Sequence, residues 1–317
     1  MLLHKAIKMN EEDQAPEWLE NAVLIYGPRK AGTTLLHNLH DGNNELFVYP
    51  AELKLKRFRR TIWQSQPKAS ELYFDLSRLS KTEVPNFDNK SYASYAKSLR
   101  NEEISSLREL IQKDIYAVYR FAENKPSNPL QWCVKKVGED TNMIIAFWKQ
   151  MFFNGKVVMI VRDPLMVARS VILSRRRGGI RLSAKQLFKQ TKSPIRNLYD
   201  QMQLIDDKSF HFVVYEKLTS ETSATMHGVC DYLGIKYSPV HEYPTIFGEK
   251  TVTRTSSKNT QKVFQNRNKW HNNLSFREKL LVWIYSTIIN YRLSIKAKKE
   301  GKRYGPYPEM VKKIENR

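Results

Sequence analysis

A chain of 317 residues that is 41% apolar and 27% charged can build a sizeable core, which excludes a disordered, collagen-like or low-complexity protein. Its formal charge of +21 points to anionic ligands or surfaces: a nucleotide, nucleic acid, an acidic glycan or anionic lipid headgroups. Two cysteines make neither a disulfide framework nor a zinc site, and no run reaches the roughly 18 apolar residues of a spanning helix, so a cytoplasmic, reducing setting is expected.

The opening MLLHKAIKMNEEDQAPEW holds no apolar stretch of signal-peptide length. AVLIY (22–26) then reads as a buried strand that stops at Gly27, and a helix from Thr33 to His40 ends at Asp41-Gly42. ELFVYP (45–50) is a further strand, closed by Pro50. Residues 54–130 break the rhythm, with the basic KLKRFRR and then mixed helical pieces punctuated by proline. They read as an insertion over the C-terminal edge of the sheet, where acceptors dock. QWCVKKV (131–137), KVVMIV (156–161) and FHFVVY (210–215) are short apolar runs, each followed by turn or cap residues and a helical pattern, as in parallel βα units. Asp163-Pro164 supplies an N-cap and N1 proline for a helix to about Ser174, and another over 221–233 ends at Gly234. Ser275 and Glu278 form a capping box for a long helix, whose apolar residues at 280, 281, 284, 285 and 288 are expected to make its buried stripe.

The expectation is one α/β domain over 1–317, a mainly parallel sheet flanked by helices and P-loop-like in form. Residues 22–53 carry the first loop and second strand, 54–130 the insertion, 131–300 the rest of the nucleotide-binding core and 301–317 a basic tail.

The chemistry concentrates in YGPRKAGTTLL. Gly27 and Gly32 let backbone N–H groups turn toward an anion, the helix from Thr33 adds its positive end, and Thr33 and Thr34 add hydroxyls. An ordinary tight βα turn is the plainer reading. The spacing is nearly a Walker A loop, but Lys30 sits inside the loop and Thr33 stands where an NTPase carries its lysine. No strand ends in a convincing Mg²⁺-binding aspartate, because Asp163 serves better as a helix cap. A lysine inside the loop can instead neutralise a departing 5′-phosphate without a metal.

YGPRKAGTTLL resembles the 5′-phosphosulfate loop of the sulfotransferases that use 3′-phosphoadenosine-5′-phosphosulfate (PAPS). VVMIVRDPLMVARSVILSR is similar to that family's 3′-phosphate motif, with Arg162 at the strand end and Ser170 eight residues on. FVVYEKLTSETSATMHGVCDYLGI and NRNKWHNNLS resemble its later segments. The resemblance implies PAPS as cofactor, 3′,5′-ADP as product and no metal. It also implies donor contacts from Arg29, Lys30, Ala31, Gly32, Thr33, Thr34, Arg162 and Ser170. Ser257, Lys262 and Arg267 are expected to lie over the nucleotide.

In saccharide-type members a glutamate after the second strand is the base, and Glu52 suits that role here; the alternative is that it only pairs with Lys54 or Lys56. Lys54, two positions on, would contact the sulfonate or the acceptor. Lys135 and Lys136 stand where the family places an active-site lysine; Lys136 is preferred, with surface exposure as the alternative. His37 and His40 read as structural.

The runs SRRRGGIR and KLKRFRR suit an anionic acceptor, an acidic glycan or glycolipid, or else merely bind the nucleotide and solvent. YRLSIKAKKEGKRYG suits the inner face of an anionic membrane, or solvent. A small-metabolite sulfotransferase stays open, as does, outside the class, an NTP-dependent kinase or a nucleic-acid-binding module; nucleic acid is not the expected partner.

Overall fold

The computed structural model describes residues 16–53, 86–98, 104–138, 140–251, 253–254, 259–260, 263 and 269–316. Five parallel strands form the central sheet: β1 (Ala22–Gly27), β2 (Leu46–Glu52), β3 (Gln131–Val137), β4 (Lys156–Val161) and β5 (Phe210–Val214), in the order β2-β3-β1-β4-β5. β1 and the apolar part of β4 are buried throughout, which is why they read as unbroken apolar runs rather than alternating ones.

Helices cover both faces. They are α1 (Thr33–Asn38), α2 (Asn89–Ser98), α3 (Leu107–Phe121), α4 (Thr141–Met151), α5 (Pro164–Arg177), α6 (Ala184–Met202), α7 (Tyr215–Ser220), α8 (Thr222–Leu233), α9 (Phe276–Glu300) and α10 (Tyr307–Glu315). One core layer joins Tyr26, Phe47, Trp132, Met159 and Phe212 to α3 and α4; the other joins Val23, Ile25, Val158, Ile160 and Val213 to α1 and α8. A third, smaller cluster around Ile172, Leu187, Leu274 and Val282 seats α9 on α5 and α6.

Caps behave as their residues dictate. Asp163 accepts from Leu165 N and Met166 N, Ser275 and Glu278 complete their capping box, and Gly234 ends α8 in the left-handed region. Four boundaries differ from expectation. α1 ends at Asn38 on ordinary helical backbone, α5 runs on to Arg177, and Tyr215 opens a helix instead of closing a strand. β2 passes through Pro50 to Glu52, with a register shift against β3 after Val48, because an edge strand tolerates a missing N–H. Within the stretch read as an insertion, α3 is a core helix packed on β2, while 54–85 and 99–103 lie outside the described residues.

The expected stripe of α9 is corrected in part. Leu281 and Tyr285 pack on the third cluster, but Leu280 and Ile288 are exposed, and the helix turns Val282, Ser286, Ile289 and Ala297 inward. Apolar residues occur on both sides of α9, so their period alone did not select the buried side; the small Ser286 and Ala297 allow close approach there.

Candidate active site

The chain leaves β1 toward β2 on one side and leaves β4 toward β5 on the other, so the sheet's switch point lies between the C-terminal ends of β1 and β4. Both motifs singled out in the sequence meet there. Residues 28–32 form a tight loop in which Ala31 N donates to Pro28 O at 3.1 Å, and Lys30 and Gly32 take positive φ of 69° and 108°. Glycine is required at Gly32: a Cβ there would stand 2.4 Å from the Tyr215 ring. At Gly27 it would stand 2.5 Å from Ile160. No side chain caps α1, so its first N–H groups face the loop.

Arg162 spans the switch point. Its Nη1 donates to the Lys30 carbonyl at 2.8 Å, and its guanidinium lies 3.9 Å over the Tyr215 ring. Two buried polar atoms at this junction, Thr33 Oγ1 and Arg162 Nε, have no hydrogen-bond partner among the described residues. A phosphate-like anion has the chemistry to satisfy both. Lys30, Arg29 and Thr34 are exposed, while Ala31 is buried and Gly32 half-buried. Desolvation, then the charges of Arg29 and Arg177, hold the Lys30 ammonium below the ordinary lysine range.

Ser170 lies two turns into α5, buried, and is not a partner of Arg162. Arg169 was missed in the sequence. It is buried, donates from Nε to Asn272 O at 2.8 Å, and ties α5 to the 269–274 segment. Burial and then the nearby Arg162 charge depress its pKa, and neither arginine has an ion-pair carboxylate among the described residues. Two guanidinium groups that feel each other's charge give this end of the sheet the chemistry to receive an anion.

Beside Arg162 opens a cleft of about 390 Å³ lined by Met166, Tyr215, Thr219, Trp270, His271 and Tyr307. Its back wall includes Glu216, which accepts from Tyr307 Oη; burial raises its pKa despite that bond and the Arg162 charge. Trp270 also packs against the Ile172–Leu187 cluster. Tyr215 and Glu216 stand within the quoted FVVYEKL, directly after a strand at the site edge, and that placement was the available signal.

On the other flank, Glu52 and Lys136 come together at 2.6 Å, ending β2 and β3. Strand alternation turns Lys135 to the opposite face, where its Nζ lies 3.4 Å from His37 Nδ1. His37 and His40 are buried, and His40 Nδ1 sits 2.7 Å from Leu36 O; burial first holds its pKa down at about 3. Lys54, Ser257, Lys262 and Arg267 lie outside the described residues.

The sulfotransferase family model matches residues 22–239. The chain belongs to the sulfotransferase family. That assignment sets aside the kinase and nucleic-acid readings. Two solved sulfotransferase domains are similar in fold. The domain from the curacin biosynthetic pathway gives a TM-score of 0.52 at 18% identity over 86% of this chain and 97% of its own. The domain from the Synechococcus PCC 7002 olefin synthase gives 0.52 at 16% identity over 87% and 97%. No curated protein matches the chain. Among the described residues no helix is long and apolar enough to cross a membrane.

Proposed function

We propose that this sulfotransferase takes its sulfuryl group from PAPS and delivers it to a hydroxyl or amine of an anionic acceptor, an acidic saccharide or glycolipid. The observation that carries the donor reading is the Arg162–Lys30 link across the switch point, with Thr33 Oγ1 and Arg162 Nε buried and unpartnered beside it. In this reading the loop N–H groups, Thr33 and Thr34 hold the 5′-phosphosulfate. Arg162 holds the 3′-phosphate, with Arg169 adding charge and Ser170 on the same α/β unit. The purine fits the cleft between Tyr215, Trp270 and Met166.

PAPS supplies an activated sulfuryl group whose leaving group is 3′,5′-ADP. Lys30 neutralises charge on the phosphate oxygen as the S–O bond breaks, which is typically worth about 10²–10³ in rate. Glu52 accepts the acceptor proton as the new O–S or N–S bond forms, and its 2.6 Å ion pair with Lys136 fixes that carboxylate in place. β2 and β1 lie two strand spacings apart, about 10 Å, which leaves room between Glu52 and the Lys30 loop for an acceptor group.

The anionic acceptor is favoured by the exposed Lys30 and the charges of the exposed Arg29 and Arg177 that act on it. Not all of the arginine run serves it: Arg176 is held by Glu278 and Asn273 O. The same positive charge suits peripheral contact with an anionic membrane surface. We place the whole activity in one domain. The test is transfer from ³⁵S-labelled PAPS to an acidic oligosaccharide, a phosphorylated glycolipid and a neutral phenol. Labelling of the first or second supports the reading; labelling of the phenol alone replaces the acceptor and leaves the donor intact.

A further inference from the structure

Helix α9 carries an apolar face that no described residue covers. Phe276 is 82% exposed, Tyr291 67% and Trp283 58%, and Leu280, Ile288 and Ile295 are exposed with them. At 3.6 residues per turn these six fall in an arc of about 140°, facing away from the Val282, Ser286 and Ile289 side that packs on α6. The stripe runs about 30 Å along the helix axis. Isolated exposed apolar residues are ordinary, but six in register on one helix are not.

Charge decides what the stripe meets. Arg277 lies within the arc, Lys279, Arg292 and Lys299 border it, Lys298 extends its end, and the only acidic residues of α9 are Glu278 and Glu300. Glu278 is paired with Arg176, and Glu300 with Lys296 and Lys302. A second copy of this chain would bring the same cations, and another +21, against them. An anionic bilayer would neutralise them instead. Phe, Trp and Tyr suit the headgroup boundary, and lysine stems lie along apolar surface while their ammonium groups reach phosphate.

We infer that the exposed face of α9 docks on an anionic phospholipid bilayer, lying in its surface. This deepens the peripheral contact already proposed and is independent of the donor. Arg176 binds Asn273 O and Glu278 at the start of α9, and Arg169 binds Asn272 O, so the docked helix is tied to the Trp270 wall of the cleft.

The test is co-sedimentation with vesicles of phosphatidylcholine alone and with about 30% phosphatidylglycerol. The wild-type chain is expected to bind the anionic vesicles at least about tenfold better, and less as salt rises. The triple variant Phe276→Ser/Trp283→Ser/Tyr291→Ser should lose about tenfold or more of that binding, with its melting temperature and 3′,5′-ADP affinity unchanged. Should the triple variant fail to fold, brominated lipids decide. They should quench wild-type emission, and Trp283→Phe should remove that quenching while still binding. No preference for anionic vesicles, or undiminished binding by a folded triple variant, overturns the inference. So does a wild-type dimer that the triple variant abolishes. If vesicles bind normally but 3′,5′-ADP does not, the donor reading fails alone.

Discussion

Arg162 donates from Nη1 to the Lys30 carbonyl at 2.8 Å, so the end of β4 holds in place the loop that follows β1. One residue thereby fixes the loop's strained backbone and presents its remaining N–H groups to a ligand. Arg162→Ala should weaken 3′,5′-ADP binding by about 10–100-fold, the range for a lost charge-assisted hydrogen bond of about 1.5–3 kcal/mol. Arg162→Lys should recover only part of this, because an ammonium cannot both bond the carbonyl and present a fork to a dianion. Calorimetric titration of the three proteins checks it. Equal affinities would remove Arg162 from the donor site.

Lys30 is exposed rather than part of the core, so its loss should be felt in turnover and not in folding. Lys30→Ala is expected to lower kcat by about 10²–10³ while the melting temperature holds within a degree or so. The pH dependence has a definite sign. Burial, Arg29 and Arg177 depress the free Lys30 pKa, and a bound anion raises it, so binding takes up a proton. Donor affinity should therefore fall as pH rises through the alkaline range, starting below the ordinary lysine value. A flat profile in wild type that matches Lys30→Ala would contradict the assignment.

Gly32→Ala should damage both the fold and the site. Its Cβ would enter the Tyr215 ring at 2.4 Å with φ at 108°. The cost is expected to be about 2–3 kcal/mol, read as a clear fall in thermal midpoint, and 3′,5′-ADP binding should weaken because Tyr215 must move. If alanine is accepted with no change in midpoint, the contact between the loop and α7 is looser than described.

The Glu52–Lys136 pair separates a base from a structural ion pair. Glu52→Gln should lower kcat by about 10²–10⁴ with 3′,5′-ADP affinity and melting temperature nearly unchanged. Lys136→Met should cost less in kcat but more in stability, since it removes the 2.6 Å ion pair from a half-buried carboxylate. If both variants lose stability and activity in parallel, Glu52 is not the base.

Much of this was legible in the sequence because the site sits on strand ends. Apolar runs stopping at Gly27 and Arg162 marked two strand termini, and Asp163-Pro164 fixed where the next helix begins. The order of the strands was not legible, since nothing local says that β4 rather than β3 meets the loop at the switch point. Tyr215 read as the last strand residue and is instead the first of a helix, turned under Arg162. Arg169 and Tyr307 act through contacts more than 90 residues away, to Asn272 O and to Glu216, which no spacing rule reports. The apolar residues of α9 were visible, but two apolar faces gave the period no means to say which one α6 covers.

The central claim is a metal-independent donor site built on Lys30 and Arg162. It is tested most directly by titrating the purified chain with 3′,5′-ADP and with ATP, each with and without Mg²⁺. The account predicts that 3′,5′-ADP binds equally with and without Mg²⁺, and that Arg162→Ala weakens it at least about tenfold. Mg²⁺-dependent ATP binding with no response to 3′,5′-ADP would contradict it.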